Sequence, residues 1–142
     1  MRNVLQLDGV SFWVDQDVIH CKPNSDFFSK YTSRKMIACF SDVIPLLSEG
    51  SYLPLLIDVV ELERPCALRL FNIISTNSRI KQMVLSRIFV VNSYRFKFIL
   101  MLNNLLVKQV VPNKIFKNYK AAMKFCKEDY LSFNAVSRHK FS

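Results

Sequence analysis

Leu53-Pro54-Leu55-Leu56-Ile57-Asp58-Val59-Val60 decides how this chain is read. It is a short, continuous apolar run carrying a single acid. Its length and its Val and Ile content predict a central β-strand covered on both faces. Downstream, Pro65 suits the first turn of a helix, where its missing N–H has no helical partner to lose. Leu68, Phe71, Ile74 and Ile80 continue the apolar side of that helix. Upstream, Met36, Ile37, Phe40, Val43, Ile44 and Leu47 fall at helical spacing behind Thr32 and Ser33, either of which can cap the helix. Pro45 is expected to kink that helix or tighten its last turn, and Glu49-Gly50-Ser51 to stop it.

The same reading extends to both ends. Residues 10–14 and 18–22 are β-rich runs around Asp15-Gln16-Asp17, a hairpin with a tight polar turn. Pro23, Asn24, Ser25 and Asp26 then break the pattern. Residues 88–91 (IFVV) predict a second buried strand, and residues 94–107 a helix that Pro112 brings to an end. A short strand over 113–116 follows. Asn118 can cap a last helix over 119–127, with Ala122, Met123, Phe125 and Cys126 inward. Strands alternating with helices imply an α/β fold with a mixed, largely parallel sheet. About five strands are expected, including the N-terminal hairpin, with four helices. Residues 1–130 form one domain on this reading, and 131–142 a loosely ordered tail.

The composition agrees with one globular unit. The chain has 142 residues, 51% of them hydrophobic and only two glycine, which excludes the disordered and fibrous classes. Its charge is unevenly placed. Residues 1–63 hold five basic and nine acidic side chains, whereas 64–142 hold fifteen basic and two acidic ones. No Asp or Glu occurs between Arg64 and Lys127. Such a split predicts one basic and one acidic face. The start, MRNVLQLDGV, has neither the apolar core nor the cleavage site of a secretory signal. The most apolar window, 96–111, is interrupted by Lys97, Asn103, Asn104 and Lys108, so no transmembrane segment is expected. Cys21, Cys39, Cys66 and Cys126 are irregularly spaced and read as reduced thiols of a cytoplasmic protein.

Several stretches resemble the small bacterial domains of the STAS/SEC14-like group, whose fold is that of the SpoIIAA-like anti-sigma-factor antagonists. They are Trp13-Val14-Asp15-Gln16-Asp17-Val18-Ile19-His20, Pro54-Leu55-Leu56-Ile57-Asp58, Arg87-Ile88-Phe89-Val90-Val91-Asn92-Ser93, Pro112-Asn113-Lys114-Ile115-Phe116 and Ala121-Ala122. The resemblance implies a non-catalytic, regulatory or ligand-sensing role. One departure bears on mechanism. Antagonists of this kind carry a phosphorylatable Ser or Thr near the start of the helix after the central strand. Here that region reads Glu61-Leu62-Glu63-Arg64-Pro65-Cys66-Ala67-Leu68, with no hydroxyl. Ser75 and Thr76 come two or three turns later, so the phospho-switch does not carry over.

Three sets of residues are candidates for function. Asp58 lies at the carboxyl end of the central strand, where ligands of open α/β sheets gather; with Asn92 and Cys66 it outlines a candidate pocket. Its alternative role is to bond nearby backbone. Cys66 follows Pro65 between Arg64 and Arg69, a setting that can favour a thiolate, although most free cysteines are simply buried. Lys117, Lys120, Lys124 and Lys127 are spaced by three, four and three residues, which on a helix makes a basic stripe for an acidic protein, nucleic acid or anionic membrane surface. The alternative is the solvated outer face of an amphipathic helix. Phe98, Ile99, Leu100, Met101 and Leu102 are consecutive and therefore point all round their helix. Phe98, Ile99, Leu102 and Leu105 are expected to meet a second protomer in a homodimer, with an apolar or lipid-like ligand or the tail after Tyr130 as alternatives.

No paired carboxylates, metal-ligand spacing, Gly-rich phosphate loop or G-x-S-x-G elbow occurs, so neither catalysis nor a cofactor is expected. His20 and His139 match no zinc pattern and read as structural. The leading expectation is a non-catalytic, STAS-like interaction module. A binder of a small apolar or lipid-like ligand is the first alternative. An electrostatic binder of nucleic acid or membrane is the second.

Overall fold

The computed structural model describes residues 4–106 and 113–141. Three strands open the chain: β1 (Val4–Leu7), β2 (Val10–Asp15) and β3 (Val18–Pro23). Gln16 and Asp17 have φ of 54° and 60°, the left-handed pair that lets a two-residue turn follow the twist of its strands. Gly9, in the preceding turn, has φ of 79°, and a Cβ there would run into the backbone of Asp26 and Phe27. Only glycine fits both conditions.

The rest alternates: α1 (Ser25–Lys30), α2 (Ser33–Ser48), β4 (Leu55–Asp58), α3 (Arg64–Thr76), α4 (Ser78–Met83), β5 (Arg87–Val90), α5 (Tyr94–Leu106), β6 (Lys114–Phe116) and α6 (Tyr119–Phe141). The six strands form one sheet in chain order. β1, β2 and β3 are antiparallel neighbours, and β3 through β6 are parallel. Each crossover therefore steps one strand onward in the same direction. Right-handed crossovers of that kind stack their helices on one face.

The two faces differ accordingly. On one, Phe12, Ile19, Leu55, Ile57 and Phe89 pack against Phe27, Met36, Phe40, Leu70, Phe71 and Leu100 from α1, α2, α3 and α5. On the other, Val18, Leu56, Ile88 and Val90 meet Ala122 and Cys126 of α6. Adjacent residues of β4 and β5 go to opposite clusters, as the strand period of two requires. Buried ring pairs such as Phe12–Phe40 at 5.3 Å and Phe71–Phe89 at 4.8 Å strengthen the main core, each by about 0.5–1.5 kcal/mol beyond area burial.

The caps form as their chemistry requires. Thr32 Oγ1 accepts from the Lys35 N–H at 3.2 Å, and Asn118 Oδ1 accepts from the Lys120 N–H at 2.8 Å. Pro65 stands in the first turn of α3. Pro45 sits in the last turn of α2, where its carbonyl accepts from the Glu49 N–H at 3.2 Å.

Four features differ from the sequence expectation of five strands and four helices. β1 is an additional strand, paired from Val4 with Trp13 to Leu7 with Val10; its signal was the Asp8-Gly9 turn. α1 forms where Pro23 to Asp26 suggested only a break, because Asn24 Oδ1 accepts from the Asp26 N–H at 2.9 Å and Phe27 is buried. Asn77 ends α3 and its Oδ1 caps α4, accepting from the Ile80 N–H at 2.9 Å, so Ile80 belongs to a separate short helix. α6 continues to Phe141 instead of stopping at Lys127. The segment expected to be loose is helical, with Tyr130 packed on the main core and Phe133 edge-on to Tyr52 at 5.7 Å. Val107 and Pro112, given as the end of the preceding helix, lie outside the described residues.

Candidate interaction surfaces

The carboxyl ends of the parallel strands were the first candidate. There Asp58 Oδ1 accepts from the Val60 N–H at 3.0 Å, and Asn92 Nδ2 donates to the Val60 carbonyl at 3.0 Å. The two side chains thus hold both backbone groups of one residue, fixing the turn out of β4. This is the side-chain-to-backbone role that short polar residues take at strand ends. Cys66 packs in part against the main core from the first turn of α3. Ser93 Oγ caps α5 by accepting from the Phe96 N–H at 3.1 Å. The exposed pair Lys22–Glu61, 3.4 Å apart, spans the same end and contributes little at high dielectric.

Burial governs the other cysteines. Desolvation raises the Cys39 thiol from 9.0 to about 11, with Asp42 adding to it. It raises Cys126 to about 12, with Asp129 nearby. Cys21 is raised too, first by burial and then by Cys39 and Asp58. Among the described residues no group of three His, Cys, Asp or Glu side chains could hold a metal ion.

The lysine stripe is the second candidate, and it divides. Asn118 is the cap of α6, so Lys117 lies before the helix and cannot share its face. Its ammonium instead stands 4.2 Å from the centre of the Tyr94 ring, a cation–π contact. Lys120, Lys124 and Lys127 remain on α6 and line a groove of about 510 Å³ against the β2–β3 turn. Asp15 and Glu128 line the same groove, which offsets much of its positive charge. Tyr119 anchors this end of α6. Its hydroxyl is 3.2 Å from His20 Nδ1, and the His20 ring lies flat on Trp13 at 5.1 Å with an interplanar angle of 2°. His20 is therefore built into the contact between β3 and α6. Sequence reading could not pair residues so far apart. The backbone at position 139 belongs to α6, and the His139 side chain lies outside the described residues.

The third candidate, α5, has the surplus that its sequence predicted. Phe96 and Leu100 are buried, whereas Phe98 is 61% and Leu105 80% exposed. Ile99, Met101 and Leu102 are exposed as well. Between α5 and the edge strand β6 lies a groove of about 460 Å³, lined by Phe98, Met101, Leu102 and Leu105 on one side and by residues 113–116 on the other. Lys97 and Lys114 also line it.

A buried polar knot fixes this groove. Asn104 Nδ2 donates to the Asn113 carbonyl at 2.8 Å, and Asn113 Nδ2 donates to Ser75 Oγ. These bonds tie the end of α5 and the start of β6 to α3. In the sequence, Asn103 and Asn104 read only as interruptions of an apolar window. Their spacing to Asn113 carries no local signal, since the bonds form only once β6 lies beside β5.

Among the described residues no helix is long and apolar enough to cross a membrane. No family model matches the chain, and neither a curated protein nor a solved structure matches it.

Proposed function

We propose that this chain is a non-catalytic protein-interaction module of the STAS-like type, acting without a phosphoacceptor hydroxyl, and that it docks its partner on the α5–β6 groove. The observation carrying this reading is the row Phe98, Met101, Leu102 and Leu105, exposed beside β6, the edge strand among the described residues. Folding alone gives no reason for it. A surface helix of a single domain normally turns charged residues outward, and a contiguous apolar patch marks an interface or a ligand groove. The missing phospho-switch fits the local chemistry. α3 opens with Arg64-Pro65-Cys66, Ser75 is buried against Asn113, and the Thr76 hydroxyl bonds the Asn72 carbonyl at 2.8 Å.

The test places a photo-activated cross-linking residue at position 105, and separately at 124, in the full chain within the cells that produce it. The reading expects a discrete cross-linked protein from 105 and none from 124. Product from 124 alone, or lipid as the only adduct at 105, contradicts it.

A second reading, a small apolar or lipid-like ligand, is favoured by the size of the groove, which falls within the range of small-molecule pockets. Native mass spectrometry of freshly purified protein would then show a retained ligand mass, and a clean chain mass would count against it.

A further inference from the structure

Taking the α5–β6 groove as the docking surface, its backbone geometry specifies the form of what docks. Among the described residues β6 is the last strand of the sheet. The Val91 N–H donates to the Phe116 carbonyl at 2.9 Å. Phe116 therefore turns its backbone groups toward β5, and strand alternation turns those of Ile115 outward. The Asn113 carbonyl, on the same outward side, already accepts from Asn104. Among the described residues this leaves the Ile115 N–H and C=O as the rung on which another strand can pair.

Side chains alternate along β6 too. Ile115 is buried beneath α5. Lys114 and Phe116 lie on the α6 side, both against Phe125, at 5.9 and 5.7 Å. A strand added beside β6 would carry one row of side chains under Phe98, Met101, Leu102 and Leu105. Its other row would run beside the Lys114 ammonium. The lining of the groove carries two cations, Lys97 and Lys114, and no acid.

We propose that the groove binds an extended segment of an acidic partner protein, which adds as a seventh strand with apolar residues under α5 and Asp or Glu beside Lys114. This is strand addition to an exposed edge, where main-chain bonds set register and alternate side chains set specificity. Because β6 has only three residues, affinity comes chiefly from the apolar row. Ile115 fixes the register. A concave groove with a backbone rung at its base suits a peptide strand better than the flat surface of a bilayer.

The experiment titrates the ¹⁵N-labelled full chain with three probes and follows its amide signals. One probe is a short capped peptide of alternating Val and Glu, another is its Val and Lys counterpart, and the third is vesicles of anionic phospholipid. The Val/Glu peptide should shift the Ile115 amide and those of residues 98–105 saturably, and should slow exchange of the Ile115 proton. The Val/Lys peptide should bind about tenfold more weakly or worse, given the cost of opposing like charges. Leu105→Glu should weaken the Val/Glu peptide by a similar factor without moving the unfolding midpoint.

Shifts along α5 with none at Ile115 would overturn strand addition while leaving the groove a docking surface. No saturable shift up to millimolar peptide would overturn the proposal as well. A free chain that sediments as a dimer, and becomes monomeric on Leu105→Glu, would assign the groove to a second copy instead. Equal shifts from vesicles would assign it to a membrane.

Discussion

α5 and α6 follow successive strands, and among the described side chains each buries two residues completely or nearly so, Phe96 and Leu100 in one and Ala122 and Cys126 in the other. Their outer faces are opposites. α6 presents Lys120, Lys124 and Lys127, and α5 presents Phe98, Met101 and Leu105. The comparison teaches which anomaly needs a partner. A helix covered on one side only should be charged on the other, and the first turns of α6 are, from Lys120 to Glu128. Its lysines are conspicuous in the sequence, yet in the fold they share their groove with Asp15 and Glu128. α5 departs from the rule, and its departure lies against the one edge of the sheet formed by a parallel strand.

The largest expected effect breaks the comparison from within α5. Leu100→Ala empties a fully buried site and should cost about 2–5 kcal/mol in urea unfolding. Leu105→Ala, one turn further along and exposed, should change stability by less than about 0.5 kcal/mol. Equal losses at both positions would mean that Leu105 is covered within the monomer.

Next comes the knot that holds α5 to β6. Asn113→Ala removes the amide group whose Nδ2 donates both to the Ser75 hydroxyl and to Asn104 Oδ1. It should cost about 1–3 kcal/mol, the usual penalty for unpairing buried polar groups. Amides of residues 98–105 should lose exchange protection before those of β2 and β3. Uniform loss of protection would show that the knot has no special hold on α5.

The buried thiols on the two faces of the sheet are tested by pH. The Cys39 and Cys126 thiols are raised in the folded chain to about 11 and about 12, from 9.0. The folded state holds these protons more tightly than the unfolded state does. Their contribution is complete below pH 9 and is lost as pH rises through the folded values. Each thiol then lowers stability by up to about 1.4 kcal/mol per pH unit in that window. Cys126→Ala should flatten the alkaline limb of the stability curve, and an unchanged limb would contradict the assignment. At neutral pH, Cys66 should be alkylated first, since the other three cysteines are buried.

Much of this fold could be read from the chain, because its determinants are local. The central strand, the Gln16-Asp17 turn, the Thr32 and Asn118 caps and the position of Pro65 each depend on neighbours within a few residues. Asp8-Gly9 was an equally local signal for β1. What could not be read depends on distant pairing. Trp13, His20 and Tyr119 form one stack, and Asn104, Asn113 and Ser75 one knot, only after the strands are ordered. The α5 surplus was legible because consecutive apolar residues cannot all face one core. The edge strand completing that groove was legible only as a strand. Its place at the rim came from the topology. Lys117 was misplaced on the lysine stripe because periodicity takes no account of where a helix begins.

The smallest expected effect on folding carries the most direct test of function. The double variants Phe98→Glu/Leu105→Glu and Lys120→Glu/Lys124→Glu should both keep the unfolding midpoint within about 0.5 kcal/mol of the parent, as exposed substitutions do. Their affinity for the Val/Glu peptide should then separate them. The α5 pair is predicted to lose at least about tenfold, and the α6 pair no more than the few-fold expected from a remote change in field. A tenfold loss confined to the α6 pair would contradict the account and return function to the lysine face.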